Sequence, residues 1–186
     1  MKYVFLFLSV CVFFACNDDE DIITADPNAS PVESCCALDA REISVADVQV
    51  FIPNVFSPDN DGINDVFNIM TNGADAVITS FLIRDTDQTM LFFAADVLPG
   101  SPGSAWDGSF SGNILTGVFD YSITIEASNG TAETVLGQVC SLPCSDTSEP
   151  QEDFGMTENC KFGTQHDGAG GFDENLPSFE NFECLE

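Results

Sequence analysis

Residues 59 to 65 read Asp59-Asn60-Asp61-Gly62-Ile63-Asn64-Asp65, with five carboxylate or amide side chains around a single glycine. Asp59, Asp61 and Asp65 stand at a spacing that lets three carboxylates converge. Hard Ca²⁺ takes several oxygens from a short, sharply turned loop of this kind. The expected ligand set is Asp59, Asp61, Asn64 and Asp65, with Asn60 as a further neutral helper and calcium as the cofactor. The loop lacks the bidentate glutamate and the entering helix of an EF-hand. Asp and Asn also favour turns without any ion, so an ion-free structural turn stands as the second reading.

Thiols are the other reactive groups. Of eight cysteines, Cys11 and Cys16 fall in the apolar start of the chain, which leaves Cys35, Cys36, Cys140, Cys144, Cys160 and Cys184. Behind a signal peptide such a set reads as disulfides. Sequence does not choose among the pairings. Bridges from Cys35-Cys36 to Cys140-x-x-x-Cys144 would tie together the two ends of the region between them, and Cys160 with Cys184 would close the tail. Zinc on these thiolates and His166 is the rival. Four-cysteine zinc sites come as two short knuckles, and only one loose one is present.

Catalysis has little to work with. His166 is the only histidine and lies in the polar tail. A serine or cysteine nucleophile needs a base held by a third group, and no serine sits in an elbow motif. Paired carboxylates arise by chance in so acidic a chain. The expectation is a protein that is not an enzyme, with no catalytic residues. At a formal charge of −27 the chain repels nucleic acid and anionic membrane surfaces.

Met1-Lys2 followed by an apolar run to Ala15 is too short to span a bilayer, which takes about 20 residues, and reads as a signal peptide over 1–15. Phe14-Ala15-Cys16 resembles a lipoprotein cleavage box, so Cys16 is the expected lipidation site. Asn17-Asp18-Asp19-Glu20-Asp21 follows at once, resembling the signal that sends lipoproteins of Bacteroidetes to the outer face of the outer membrane. Residues 16–44 then read as an acidic, flexible linker rich in Asp, Ala, Ser and Pro.

Residues 45–142 carry the elements that must position these groups. Val48, Val50 and Ile52 alternate with other residues as a strand does, and Pro53 ends the ladder. Clear strands follow over 77–84, 88–94, 118–126 and 131–139. In the third, Tyr121, Ile123 and Ile125 alternate with Ser122, Thr124 and Glu126. Asn129-Gly130 between the last two is a hairpin signal, and 98–108 is a long loop that Trp106 closes as a core plug. Helical periodicity is almost absent. Pattern therefore gives an all-β chain. Residues 143–186 follow as an acidic, largely irregular tail in which Phe154, Phe162, Phe172, Phe179 and Phe182 recur, either as a partner-binding motif or packed on the sandwich.

Pro53-Asn54-Val55-Phe56, Ser57-Pro58 and Asp61-Gly62-Ile63-Asn64-Asp65-Val66-Phe67, then Trp106-Asp107-Gly108-Ser109 and Gly117-Val118-Phe119-Asp120-Tyr121, come in one order and spacing. In this the chain resembles the gliding motility-associated C-terminal domain of Bacteroidetes, the type B sorting domain of the type IX secretion system. The resemblance implies an extracytoplasmic module, a single Ig-like antiparallel β-sandwich in which Trp106, Asp107, Gly108 and Tyr121 are structural. It departs at Arg84-Asp85-Thr86-Asp87-Gln88, where the family carries an Arg-Trp-Gly-like hairpin, and in the long tail after the last strand. The expected function is a lipoprotein of the outer membrane and cell surface, displaying this module for binding, adhesion or assembly. Expected partners are the membrane through the lipid, and envelope proteins or extracellular glycans. Alternatives are a secreted cargo or accessory piece of the gliding and type IX apparatus, and a secreted hydrolase fragment.

Overall fold

The computed structural model describes residues 31–73, 75–142 and 159–179. Strands dominate. They run β1 Arg41–Val45, β2 Val48–Ile52, β3 Val55–Phe56, β4 Phe67–Asn68, β5 Met70–Thr71, β6 Ala76–Arg84, β7 Met90–Ala94, β8 Ala105–Trp106, β9 Ser109–Phe110, β10 Asn113–Ile114, β11 Gly117–Ala127 and β12 Ala132–Ser141. One six-residue helix, α1 Pro31–Cys36, precedes them. No helix among the described residues is long and apolar enough to cross a membrane.

Five strands form one sheet in the order β3-β12-β11-β6-β7, and three form a second in the order β1-β2-β5. Two short pairs, β4 with β8 and β9 with β10, complete an all-β, sandwich-like architecture. The pattern of β11 explains its place at the centre. Phe119, Tyr121, Ile123, Ile125 and Ala127 are buried while Asp120, Ser122, Thr124 and Glu126 face the other way. Both sheets feed one core: Val48, Val50 and Ile52 from β2 join Ile78, Phe81 and Ile83 from β6 and Val135 and Val139 from β12. Each such side chain contributes about 1.5–3 kcal/mol by leaving water.

The β11–β12 hairpin turns at Asn129-Gly130, with Gly130 donating to the Ala127 carbonyl at 2.9 Å and Ala127 donating to the Thr131 carbonyl at 2.9 Å. Trp106 is a core plug. It is 1% exposed, packs on Phe56 and Phe119 at centroid distances of 5.5 and 5.0 Å, and donates through Nε1 to the Ser109 carbonyl. Gly108 makes that plug possible, because its φ is +75° and a Cβ there would press on Pro58 and the Phe56 ring.

Two expectations change. The sandwich is not wholly antiparallel, since β3 pairs with β12 in parallel through Val55 opposite Cys140 and Phe56 opposite Ser141. Residues 16–44 are not all linker, since α1 and the first residues of β1 fall there. Over 159–179 the tail is irregular in path and packed onto the domain. Phe162 is fully buried and Phe172 is half-buried, whereas Phe179 is exposed. Phe154 and Phe182 lie outside the described residues.

Candidate functional site

The acidic loop leaves β3 at Ser57 and returns to β4, and its own side chains shape it. Asp65 accepts from the Asn60 amide at 2.6 Å and the Gly62 amide at 2.8 Å. Asp59 accepts from Asp61 and Asp61 from Ile63, at 3.0 and 2.7 Å. Each bond turns the backbone locally, as Asx turns do. One carboxylate oxygen from each of Asp59, Asp61 and Asp65 lies within 4.8 Å of the others. Three of the four expected ligands thus converge. Asn64 is drawn elsewhere: its Nδ2 donates to the Ser178 carbonyl at 2.9 Å and its Oδ1 accepts from the Thr164 amide at 3.2 Å. Its side chain ties the tail segment to the loop.

Two disulfides are formed among the described residues. Cys35 bridges Cys140 and Cys36 bridges Cys160, with Cα–Cα distances of 5.3 and 4.4 Å. Helix α1 therefore grips the last strand of the sandwich with one cysteine and the tail with the next. The expected link between Cys35-Cys36 and the end of the sandwich holds at Cys140. The expected closure of the tail by Cys160 and Cys184 does not, because Cys160 is held by Cys36. Four of the six sulfurs open to zinc are spent in these bridges. Cys144 and Cys184 lie outside the described residues, as do Cys16, the expected signal peptide over 1–15 and the acidic run after Cys16.

Around the bridges Val55, Leu142 and Phe162 complete a second small apolar core. Asn54, fully buried, sits against it and satisfies three chain segments at once. Its Nδ2 donates to the Leu38 and Asn159 carbonyls at 2.6 and 2.7 Å, and its Oδ1 accepts from the Lys161 amide at 2.8 Å. Its own carbonyl accepts from Cys140 at 2.8 Å. A buried amide is tolerable only when its donors and acceptors are used, and here the side chain uses both its protons and its oxygen. The segment before the sandwich, its last strand and the tail all meet on this one residue.

From there the tail runs back over the outer face of β2. His166 stacks on Phe51 at 6.5 Å, Phe172 tilts against it at 6.0 Å, and Lys161 lies 4.7 Å over the Phe172 ring. Phe51 points away from the main core, and this cover is what makes it fully buried. Gly170 has φ +94° and rests on Gln49 so closely that any Cβ would overlap the Gln49 backbone. The Gly170 amide donates to His166 Nε2 at 3.1 Å, which fixes the neutral ring as the bonded form. Burial holds the His166 pKa below the usual imidazole range, opposed by the neighbouring Asp167. His166 is therefore packed against β2 through Phe51.

The motif residues Asp107 and Tyr121 are structural as well. Hydrogen bonds from the Ser109 hydroxyl and amide hold the Asp107 carboxyl below the usual carboxylate range. The Tyr121 hydroxyl is buried without a hydrogen-bond partner. Burial pushes its pKa up to about 12, and the nearby Arg41 guanidinium opposes that shift without reaching hydrogen-bond geometry. Asn54 and Phe51 were missed as key positions in the sequence. For Phe51 the signal was present: an aromatic residue on the solvent side of an alternating strand calls for something to cover it. No protein-family model matches the chain, and no curated protein matches it either.

Proposed function

We propose that this chain is a surface-exposed lipoprotein of the bacterial outer membrane, displaying a non-catalytic β-sandwich for binding or assembly at the cell envelope. The observation that carries the reading is the pair of bridges from consecutive cysteines, Cys35 to Cys140 and Cys36 to Cys160. Disulfides persist in exported proteins and are rare in the reducing cytoplasm. The apolar start, Cys16 and the acidic run behind it supply the anchor in this reading. The resemblance to the gliding motility-associated C-terminal domain supplies the envelope setting.

The expected result is that Cys16→Ala releases the protein from the membrane fraction or traps the precursor. Changing Asp18, Asp19, Glu20 and Asp21 to alanine leaves a lipidated protein that external protease no longer reaches. Wild-type fractionation in the first variant, or unchanged shaving in the second, contradicts the proposal. A mature N-terminus that carries no lipid favours the alternative of a type IX secretion cargo.

Convergence of Asp59, Asp61 and Asp65 favours a second element, calcium at the acidic loop. Three like charges in one turn cost free energy that a divalent ion reverses. At millimolar calcium a site with Kd of about 10⁻⁴ M adds about 1.4 kcal/mol of stability. Magnesium, which demands a stricter octahedron, adds less. Thermal unfolding of the wild type and Asp61→Asn in calcium, magnesium and matched sodium chloride checks this. A calcium shift no larger than magnesium's, or one kept in Asp61→Asn, leaves the loop a turn.

A further inference from the structure

The outer face of the five-stranded sheet stands apart from the rest of this acidic molecule. Register places Gln138, Asp120, Arg84 and Met90 in one row across β12, β11, β6 and β7, and Leu136, Ser122, Leu82 and Phe93 in the next. Thr134, Thr124 and Ser80 form a third. In a chain of net charge −27 these three rows hold one carboxylate and one guanidinium, and so are neutral. They are also apolar in patches: Leu136 is 67% exposed, Met90 57% and Phe93 56%. A row across four strands is three strand spacings wide, about 14 Å.

The polar groups of this face are held in place and aimed outward. Asp120 accepts from Gln88 Nε2 at 3.1 Å and from Gln138 Nε2 at 3.0 Å, one oxygen to each amide. The carboxylate thereby orients two glutamines whose carbonyl oxygens are not spent on it. Arg84 is the cross-strand neighbour of Asp120 but makes no ion pair among the described residues. Together with Leu82, Ser122 and Leu136 these groups line an open cleft of about 440 Å³, within the usual range for small-ligand sites of about 300–1,000 Å³.

We infer that this face binds a neutral polysaccharide, with Phe93, Leu82 and Leu136 as the platform and Arg84, Gln88, Asp120 and Gln138 as the hydroxyl-reading groups. A sugar ring offers an apolar C–H face to an aromatic or aliphatic platform and a rim of hydroxyls that both donate and accept. The face supplies guanidinium donors and amide and carboxylate acceptors next to the apolar row. Charge selects among occupants. An acidic glycan or a second copy of the chain would bring more negative charge against a strongly negative body. A basic partner would be drawn to the acidic surfaces rather than to these three neutral rows. An uncharged ligand meets neither obstacle.

This inference rests on the reading of the chain as a surface-displayed binding module, and its test is independent of anchoring. The probes are soluble mannan, xylan, β-glucan and dextran in native affinity gels, with pectin and alginate as acidic comparators, using purified disulfide-bonded protein. At least one neutral polysaccharide retards the wild type, and the acidic ones do not. Phe93→Ala and Asp120→Ala each weaken binding by at least about tenfold, equivalent to the loss of one good contact. Should Asp120→Ala fail to fold, Leu136→Glu on an already exposed side chain reads the same surface. No retardation by any neutral probe overturns the proposal, and so does retardation unchanged in these variants. A dimer in sedimentation that Phe93→Ala dissolves assigns the face to a second copy and overturns it too. Fractionation and protease shaving are unaffected by any of these results, so a failure here leaves the anchored-module reading to its own test.

Discussion

Replacing Cys36 and Cys160 together by alanine is expected to lower stability by about 3 kcal/mol, and replacing Cys35 and Cys140 as well by about 8 kcal/mol in total. The arithmetic follows the loops. The Cys35–Cys140 bridge closes a separation of 105 residues, for which restricting the unfolded chain is worth about 4.7 kcal/mol. Once it is formed, the second bridge closes only a ring of roughly twenty residues through Cys140 and Cys160, worth about 3 kcal/mol. The effects of the two are therefore not the sum of two long loops, although Cys36 and Cys160 are 124 residues apart in sequence. Alanine is the right replacement because all four cysteines sit in the second apolar core, where a serine hydroxyl would be buried without a partner. A typical domain has about 5–15 kcal/mol to lose, so the quadruple variant and the reduced wild type should both be near or past the point of unfolding at 37 °C. Urea unfolding of the oxidised wild type, the two double variants and the quadruple variant checks this. Double variants within 1 kcal/mol of wild type would mean that the bridges do not carry the closure described here.

The second large effect belongs to Asn54. Asn54→Ala orphans the Leu38 carbonyl, the Asn159 carbonyl and the Lys161 amide in one step. At roughly 1 kcal/mol per lost bond the expected cost is about 3 kcal/mol. Asn54→Asp, equal in size, should cost more at neutral pH. It places an oxygen where a donor faced two carbonyls and leaves a charge in a fully buried position. Hydrogen exchange locates the damage: amides at 159–162 lose protection, and those of β6 and β11 do so only as far as the whole domain does. An alanine variant with wild-type protection at Lys161 would show that the disulfide alone holds the tail, and the hub would be dispensable.

Much of this architecture could be read from the sequence, for reasons that particular residues make plain. Tyr121, Ile123 and Ile125 alternate with polar neighbours, so β11 declared both its existence and its buried face. Asn129-Gly130 announced the hairpin, and Trp106 in a Pro- and Gly-rich loop announced its plug. The acidic loop was legible because Asp and Gly chemistry is local. Long-range pairings were not. Nothing local in Cys160 distinguishes Cys36 from Cys184 as its partner, since the choice depends on where the tail returns. Asn54 follows Pro53 with no local sign of its role, which exists only because residues 38, 140, 159 and 161 meet there. In β12 the run Val135-Leu136 is apolar at both positions, so pattern alone did not say which faced out. The fold settles it, with Val135 inside and Leu136 exposed.

The proposed function requires export, tethering and an oxidised domain. One measurement addresses all three: the intact mass, without reductant, of the protein extracted by detergent from its own membranes. The expected species is a chain that begins at Cys16, carries a lipid there, and lacks the protons of the Cys35–Cys140 and Cys36–Cys160 bridges. A mass showing an unmodified Cys16, or one in which these four cysteines are free thiols, would contradict it.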